Sequence, residues 1–456
     1  MYLNEIIEIW KNPLEFITNF EITKEDKLKV IEAGRFAPSA GNQQVWRFLL
    51  IDERNSKNII IQSIQARDPR LTTTLQKIEK PNLRNNFVFS TNNFNSKEDK
   101  FKDFIFENHS NELNCAKSAS FFIICTHKSS ITGKMFGHTD MGAAITNMIL
   151  ISYELGYHCR WIRIFDREFV RERFNIPQSI FIDAILAVGK VKETMEIAEY
   201  KAKDFKDFYF YNQWSEILTI NKLQSENSEF HNYGIEAIDA IVDRRSIRGF
   251  NENEPIPRGI ILELLKAGMM LPLTINLPYI KIIIIDNKDL LVQIAKNSKI
   301  VTKQSHVQEV PLIIIITYDC SNNSPAFYAE TDTGSIIQNF LLRAHTLGIG
   351  SCWIGAFNRK VVRKILKIPE DWHIPSMAIF GYPDNYPKPT SRVDLGKVCY
   401  YNSWRKNIKK RKRTLLPDYF ALSIGLRRFR NTRVTTLLRK RKVGVLKGIP
   451  EFEQFL

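Results

Sequence analysis

The chain has 456 residues, 44% of them apolar and 25% charged. That composition excludes a disordered polymer and makes two domains plus extensions the expectation. The longest apolar runs, such as "YIKIIIID" and "VPLIIIITY", are too short to cross a bilayer as helices and read as buried strands. The net charge of +16 is unevenly spread. Residues 405–456 hold 16 Lys and Arg against Asp418, Glu451 and Glu453, a local +13 that leaves +3 for everything before it.

The N-terminus, "MYLNEIIEIWKNP", has early acids and no basic leader, so a signal peptide is not expected. The six cysteines, at 115, 125, 159, 320, 352 and 399, form no CxxC pair, and several lie inside apolar runs. A reducing cytoplasm suits that usage. In chain order come the loop "RFAPSAGNQQVW" (Arg35 to Trp46), the strand-like run "VWRFLLID", and a polar segment from roughly Glu53 to Cys115. That segment, with "NNFVFSTNNFNSKEDK" at its centre, reads either as a solvated insertion or as a substrate-covering lid. The strand-like "SFFIICTH" follows. A helix then shows apolar spacing at Ile145, Met148 and Ile149, before "LGYHCRWIRIFD" and the strand-like "ILAVGKV".

The second half repeats this order. "DMGAAITNMILISYELGYHCRWIRIFDREFVRERFNIP" from Asp140 aligns without a gap to "DTGSIIQNFLLRAHTLGIGSCWIGAFNRKVVRKILKIP" from Asp332, at a constant offset of 192. Gly142 meets Gly334, Asn147 meets Asn339, Trp161 meets Trp353, and "FYFYNQW" echoes "VCYYNSW". The chain is a tandem duplication. Its parts are a first module over 1–218 with the insertion at 53–115, a second over 219–404, and a basic tail over 405–456. Short strands among helices predict an α+β class, each module a mixed sheet flanked by helices.

Four pieces together resemble the nitroreductase-like flavoproteins, across both modules. They are "RRSIR" opening a module, "APSAGNQQVW" after its first helix, "LGIGSCWIG" after the central helix, and "GYPDNYPKPTSR" ending a strand. The last of these closes on Arg392. "GIGSCW" is not a dinucleotide fingerprint, since it follows a helix and lacks the third glycine. The resemblance implies FMN at an interface between two modules, here an intramolecular pseudo-dimer within one chain, with NAD(P)H as electron donor. A phosphate calls for guanidinium forks and hydroxyl donors, and Arg244, Arg245, Ser246, Arg248 and Arg392 supply them. Alone, "DRRSIR" also fits a solvated helix start. By family alignment the backbone N–H groups of Gly355 and Ala356 would face the flavin N5, while Pro38, Ser39 and Asn42 reach in from module one.

The reciprocal site carries three lesions. Module one has no arginine cluster, its "LGYHCRWIRIFD" puts Arg163 and His158 where Gly355 and Gly350 stand, and module two's loop, "LPLTINLPYI", has Leu273 in place of Ser39. One composite flavin site per chain is the expectation. Hydride transfer at a flavin requires no side-chain nucleophile, so no catalytic residue is nominated and Cys352 reads as a packing residue. The eight histidines show no ligand spacing, so no metal is expected.

The implied activity is NAD(P)H-driven reduction of a small organic acceptor of the nitro, quinone or enone type. Two alternatives stay open: oxidation of a peptide-derived or other biosynthetic substrate, and a non-catalytic scaffold presenting the tail. That tail mixes basic clusters with Leu, Phe, Ile and Val. It fits an anionic membrane surface or wrapping of the body better than nucleic acid, for it shows no stacking pattern of aromatics. The expected location is cytoplasmic, with peripheral membrane contact through the tail. A monomer built on the internal pseudo-dimer and a homodimer are both compatible with the sequence.

Overall fold

The computed structural model describes residues 2–3, 5–6, 13–67, 97–192, 208–218, 223, 233–251, 254–269, 279–297, 310–320 and 326–405. Module two's loop at 270–278, most of the polar segment at 68–96, and the tail beyond Arg405 lie outside the described residues. None of the described helices is long and apolar enough to cross a membrane.

Module one runs α1 (Lys24–Arg35), β1 (Trp46–Ile51), α2 (Arg54–Gln65), α3 (Lys97–Ser118), β2 (Phe121–Lys128), α4 (Ile131–Glu154), β3 (His158–Ile162), α5 (Arg167–Phe174), β4 (Ile180–Gly189) and β5 (Tyr209–Tyr211). Module two runs α6 (Ala237–Asp243), α7 (Arg258–Met269), β6 (Ile280–Ile285), α8 (Lys288–Asn297), β7 (Leu312–Asp319), α9 (Ala326–Thr346), β8 (Gly350–Ile354), α10 (Arg359–Leu366), β9 (Trp372–Gly381), α11 (Leu395–Val398) and β10 (Cys399–Tyr401). β3 and β8 are strands that periodicity alone does not reveal, because "HCRWI" and "GSCWI" interrupt apolar alternation with polar and small residues.

Each module has a five-stranded sheet, ordered β10-β1-β2-β4-β3 and β5-β6-β7-β9-β8. The outermost strand of each belongs to the other module. β5 adds parallel to β6, with Phe210 opposite Ile283, and β10 adds parallel to β1, with Leu49 opposite Tyr400. The exchange is fastened the same way twice. Trp214 donates its N–H to the Leu366 carbonyl at 3.0 Å, and Trp404 donates to the Phe174 carbonyl at 3.0 Å. Asn212 and Asn402, at φ of 63° and 52°, turn the chain after the exchanged strands. Their Oδ1 atoms accept N–H groups just after β6 and β1 respectively.

The long helices α4 and α9 cross at the centre of the molecule with their backbones touching. A Cβ on Gly142 would sit 2.0 Å from the Thr331 carbonyl oxygen, and one on Gly334 would sit 1.9 Å from that of Thr139. Only glycine permits that approach. Around the crossing, Asn147 Nδ2 donates to Ala33 O and Asn339 Nδ2 donates to Ala267 O, so each central helix holds a neighbouring helix by one buried amide. The insertion is partly structural. Ile60 and Ile64 of α2, with Cys115 and Ala116 at the end of α3, join the buried apolar layer behind β1 and β2.

Candidate active site

A cavity of about 730 Å³ opens between the modules, and all ten residues nominated from the sequence line it. Pro38, Ser39 and Asn42 come from module one. Arg244, Arg245, Ser246, Arg248, Gly355, Ala356 and Arg392 come from module two.

The "RRSIR" stretch is not a helix start. Arg244 caps the C-terminus of α6, and the chain then runs extended beside β8, where Ile247 donates its N–H to the Ser351 carbonyl at 2.9 Å. Gly350 makes this possible, since a Cβ there would meet Ile247 at 3.0 Å. Arg245 turns back and donates to the carbonyls of Val242 and Arg244, a favourable use of positive charge at a helix C-terminus. Arg244 is 6% exposed, and its Nη1 has no hydrogen-bond partner among the described residues. Burial, reinforced by the charge of Arg392, lowers its pKa to about 10. Behind it, burial and the charges of Arg244 and Arg245 push His345 down to about 3, so that imidazole stays neutral.

Arg392 is already engaged. Its Nη1 donates to Asn42 Oδ1 and its Nη2 to the Phe36 carbonyl, both at 3.0 Å, so it ties the module-one loop to module two at the rim of the cavity. Ser39 is engaged too, its Oγ accepting from the Gln44 N–H at 3.0 Å. The loop's 3-10 turn, Ala40–Asn42, is held from below by Asp140, both of whose carboxylate oxygens lie 3.2 Å from the Ala40 nitrogen. Asp140 is the one acid among the described residues lining the cavity. Burial raises its pKa well above the usual carboxylate value, which suppresses its negative charge. The cavity is therefore strongly cationic, with an orphaned guanidinium donor on its wall. A buried donor without a partner is costly, so these residues fit a ligand carrying a phosphate or comparable anion.

Sequence reasoning missed Phe136, Thr139 and Asp140, which form the α4 wall. Their position one helix away from every motif gives no local signal. Phe136 lies directly opposite Gly355, where a Cβ would come within 2.8 Å of the ring.

The pseudo-symmetric position in module one is closed by side chains. Arg163, the counterpart of Gly355, is 2% exposed and bonds through Nη2 to Asp332, the counterpart of Asp140. Its guanidinium lies 3.7 Å from the Trp161 ring centre. The Tyr279 hydroxyl also donates to Asp332, and that of Tyr328, the counterpart of Phe136, donates to the Arg163 carbonyl at 2.7 Å. From the insertion, Glu112 accepts from the backbone N–H groups of Arg163 and Ile164, each at 3.4 Å. Those are the counterparts of the Gly355 and Ala356 N–H groups. His158, in place of Gly350, packs on Tyr153 with ring centres 4.8 Å apart.

Two stretches, residues 15–190 and 241–382, match the profile of the nitroreductase family, and the chain belongs to that family. A relative in Methanothermobacter thermautotrophicus, provisionally named NADH dehydrogenase/NAD(P)H nitroreductase, is 30% identical over 169 residues, covering 36% of this chain and 86% of the relative. The NADPH-flavin oxidoreductase of Vibrio harveyi is 24% identical over 186 residues, covering 37% of this chain and 75% of that protein. Among solved structures, an FMN-dependent nitroreductase from Clostridium difficile R20291 aligns at 26% identity and a TM-score of 0.30, covering 34% of this chain and 91% of its own. Each relative spans about one module.

Proposed function

We propose that the protein is an FMN-dependent oxidoreductase that holds one flavin per chain in the inter-module cavity and uses NAD(P)H to reduce a small organic acceptor. The observation that carries this reading is the pairing of Arg244, buried with an unpartnered Nη1, with a cavity whose other wall comes from Pro38, Ser39 and Asn42. Family membership and relatives named as NAD(P)H nitroreductases and flavin oxidoreductases point the same way.

When bound, the flavin supplies the chemistry, accepting and donating hydride at N5. The chain's own residues bind and orient. Arg244 and Arg248 offer guanidinium forks to the phosphate, with the Ser246 hydroxyl beside them. The backbone of Gly355 and Ala356 offers N–H groups to the ring, at a position where glycine lets a planar group approach. Arg245 and Arg392, held by carbonyls and by Asn42, contribute fixed positive charge rather than flexible forks. That charge favours negative charge on any group that enters, and it requires no reorganisation. Asp140, its charge suppressed by burial, keeps the Ala40 turn in place without opposing that field. Phe136 makes the face opposite Gly355 apolar and excludes water from it.

The test is the flavin content of the purified chain. One FMN per polypeptide is expected. Arg244→Met should weaken FMN by about ten- to a hundredfold, the effect of losing a charged hydrogen bond. Two FMN per chain, or none after adding FMN, would sink the reading; none would favour the scaffold alternative.

A further inference from the structure

A second cluster lies on the sheet side of α4. His127 ends β2, His138 sits in the second turn of α4, and Asp183 is on β4. Asp183 is fully buried, and its carboxylate forks between two imidazoles, one oxygen 2.7 Å from His127 Nδ1 and the other 2.6 Å from His138 Nδ1. The two rings meet edge to face with centres 4.6 Å apart. One ligand atom from each residue falls within a span of 4.8 Å.

The helix is shaped to bring these groups together. A Cβ on Gly137 would sit 2.2 Å from His127 Cδ2, and one on Gly133 would sit 1.9 Å from the Lys128 carbonyl oxygen. Bare backbone at both positions lets α4 lie directly on the end of β2, which places His138 beside His127. The cluster is also absent from the duplicated framework. At the matching positions module two has Tyr318, Glu330 and Pro375, and of these Glu330 faces the cluster closely enough for His138 to act on its charge. Burying a carboxylate demands compensating positive charge. The ion-pair partners of Asp183 among the described residues are the two imidazoles.

We propose that His127, His138 and Asp183 form a binding site for a divalent first-row transition ion of the zinc class, held through Nδ1 of each histidine and the Asp183 carboxylate. Two imidazoles with one carboxylate are a donor set suited to such ions. The ion takes the place of the proton each imidazole shares with Asp183, which moves to Nε2 or leaves to solvent. Metal–ligand bonds of about 2.0–2.1 Å place tetrahedral ligands roughly 3.3 Å apart, so the cluster opens by about half an ångström. His138, 19% exposed, has the freedom to move and gives the ion its route in. The ion would pin the start of α4, the helix whose neighbouring face bears Thr132, Phe136, Thr139 and Asp140 on the cavity wall.

The experiment is titration of the full-length, chelator-treated protein with Co²⁺, read by its visible absorption, with Zn²⁺ as competitor. One Co²⁺ per chain is expected, displaced by Zn²⁺. His138→Gln and Asp183→Asn should each weaken it at least about tenfold, the least that disturbing a metal's ligand shell costs, with circular dichroism and flavin content unchanged. A wild-type chain that shows no stoichiometric Co²⁺ band, or a band that survives intact in both variants, overturns the site. Since neither readout involves flavin turnover, the outcome is independent of the proposed function.

Discussion

The open cavity and its closed counterpart are built from the same framework, and they differ in a few side chains. Where module two has Gly355, module one has Arg163, and where Asp140 holds a loop turn, Asp332 holds that arginine. The N–H groups corresponding to the proposed flavin donors are taken by Glu112, which comes from an insertion at 53–115 peculiar to module one. In a homodimer one gene writes both sites, so an arginine at this position would close both. Duplication within one chain lets one site be converted into core while the other stays open.

The comparison can be broken most sharply by transplanting the plug. Gly355→Arg puts a guanidinium against Phe136, and a Cβ alone already comes within 2.8 Å of that ring. Essentially complete loss of flavin from a folded chain is expected; retention of one FMN would show that the cavity is not where flavin binds. The reverse change, Arg163→Ala, leaves Asp332 buried without its cation. Denaturant unfolding should show a loss of about 3–5 kcal/mol, while Arg163→Met with Asp332→Leu should be close to neutral. Flavin stoichiometry should stay at one in both.

Glu112 sharpens the contrast through pH. Burial raises its carboxyl to about 7, against partial opposition from Arg160 and the two backbone N–H groups. The folded state thus holds its proton more tightly than the unfolded state. The corresponding stability is full below the unfolded value of about 4.5 and is lost as pH rises through about 7, on the order of 3 kcal/mol in all. Glu112→Gln should flatten the stability profile between pH 5 and pH 8; an unchanged slope would remove Glu112 as its source. The smallest effect is expected at the rim. Asn42→Ala removes one exposed acceptor of Arg392 and should weaken FMN by no more than about fivefold in an equilibrium titration, about 1 kcal/mol.

Much of this was legible in the sequence because duplication compares the chain with itself. The offset of 192 identified Arg163 as the odd residue against Gly355, and the cavity gathers every nominated residue. What was not legible is what depends on distant neighbours. Arg163 announces bulk, but nothing local says that it would meet Asp332, 169 residues on. Arg392 was read as a phosphate fork, whereas the fold spends it on Asn42 and Phe36. The histidines show no ligand spacing because His127, His138 and Asp183 sit on a strand, a helix and another strand, and meet only when α4 lies down on β2. The exchanged strands were visible as an echo between "FYFYNQW" and "VCYYNSW", yet their three-residue length says nothing of which sheet they join.

That exchange bears on synthesis. Module one leaves the ribosome first, but the strand that completes its sheet edge pairs Cys399 with Phe48, roughly 350 residues earlier. Until that stretch emerges, β1 presents an open edge, the kind of surface that recruits wrong partners. Contacts of such span also slow folding, because loop closure precedes its reward. A nascent chain stalled before residue 399 should be markedly more prone to aggregation than the finished one, and cutting the gene between the modules should yield two fragments that fold well only together.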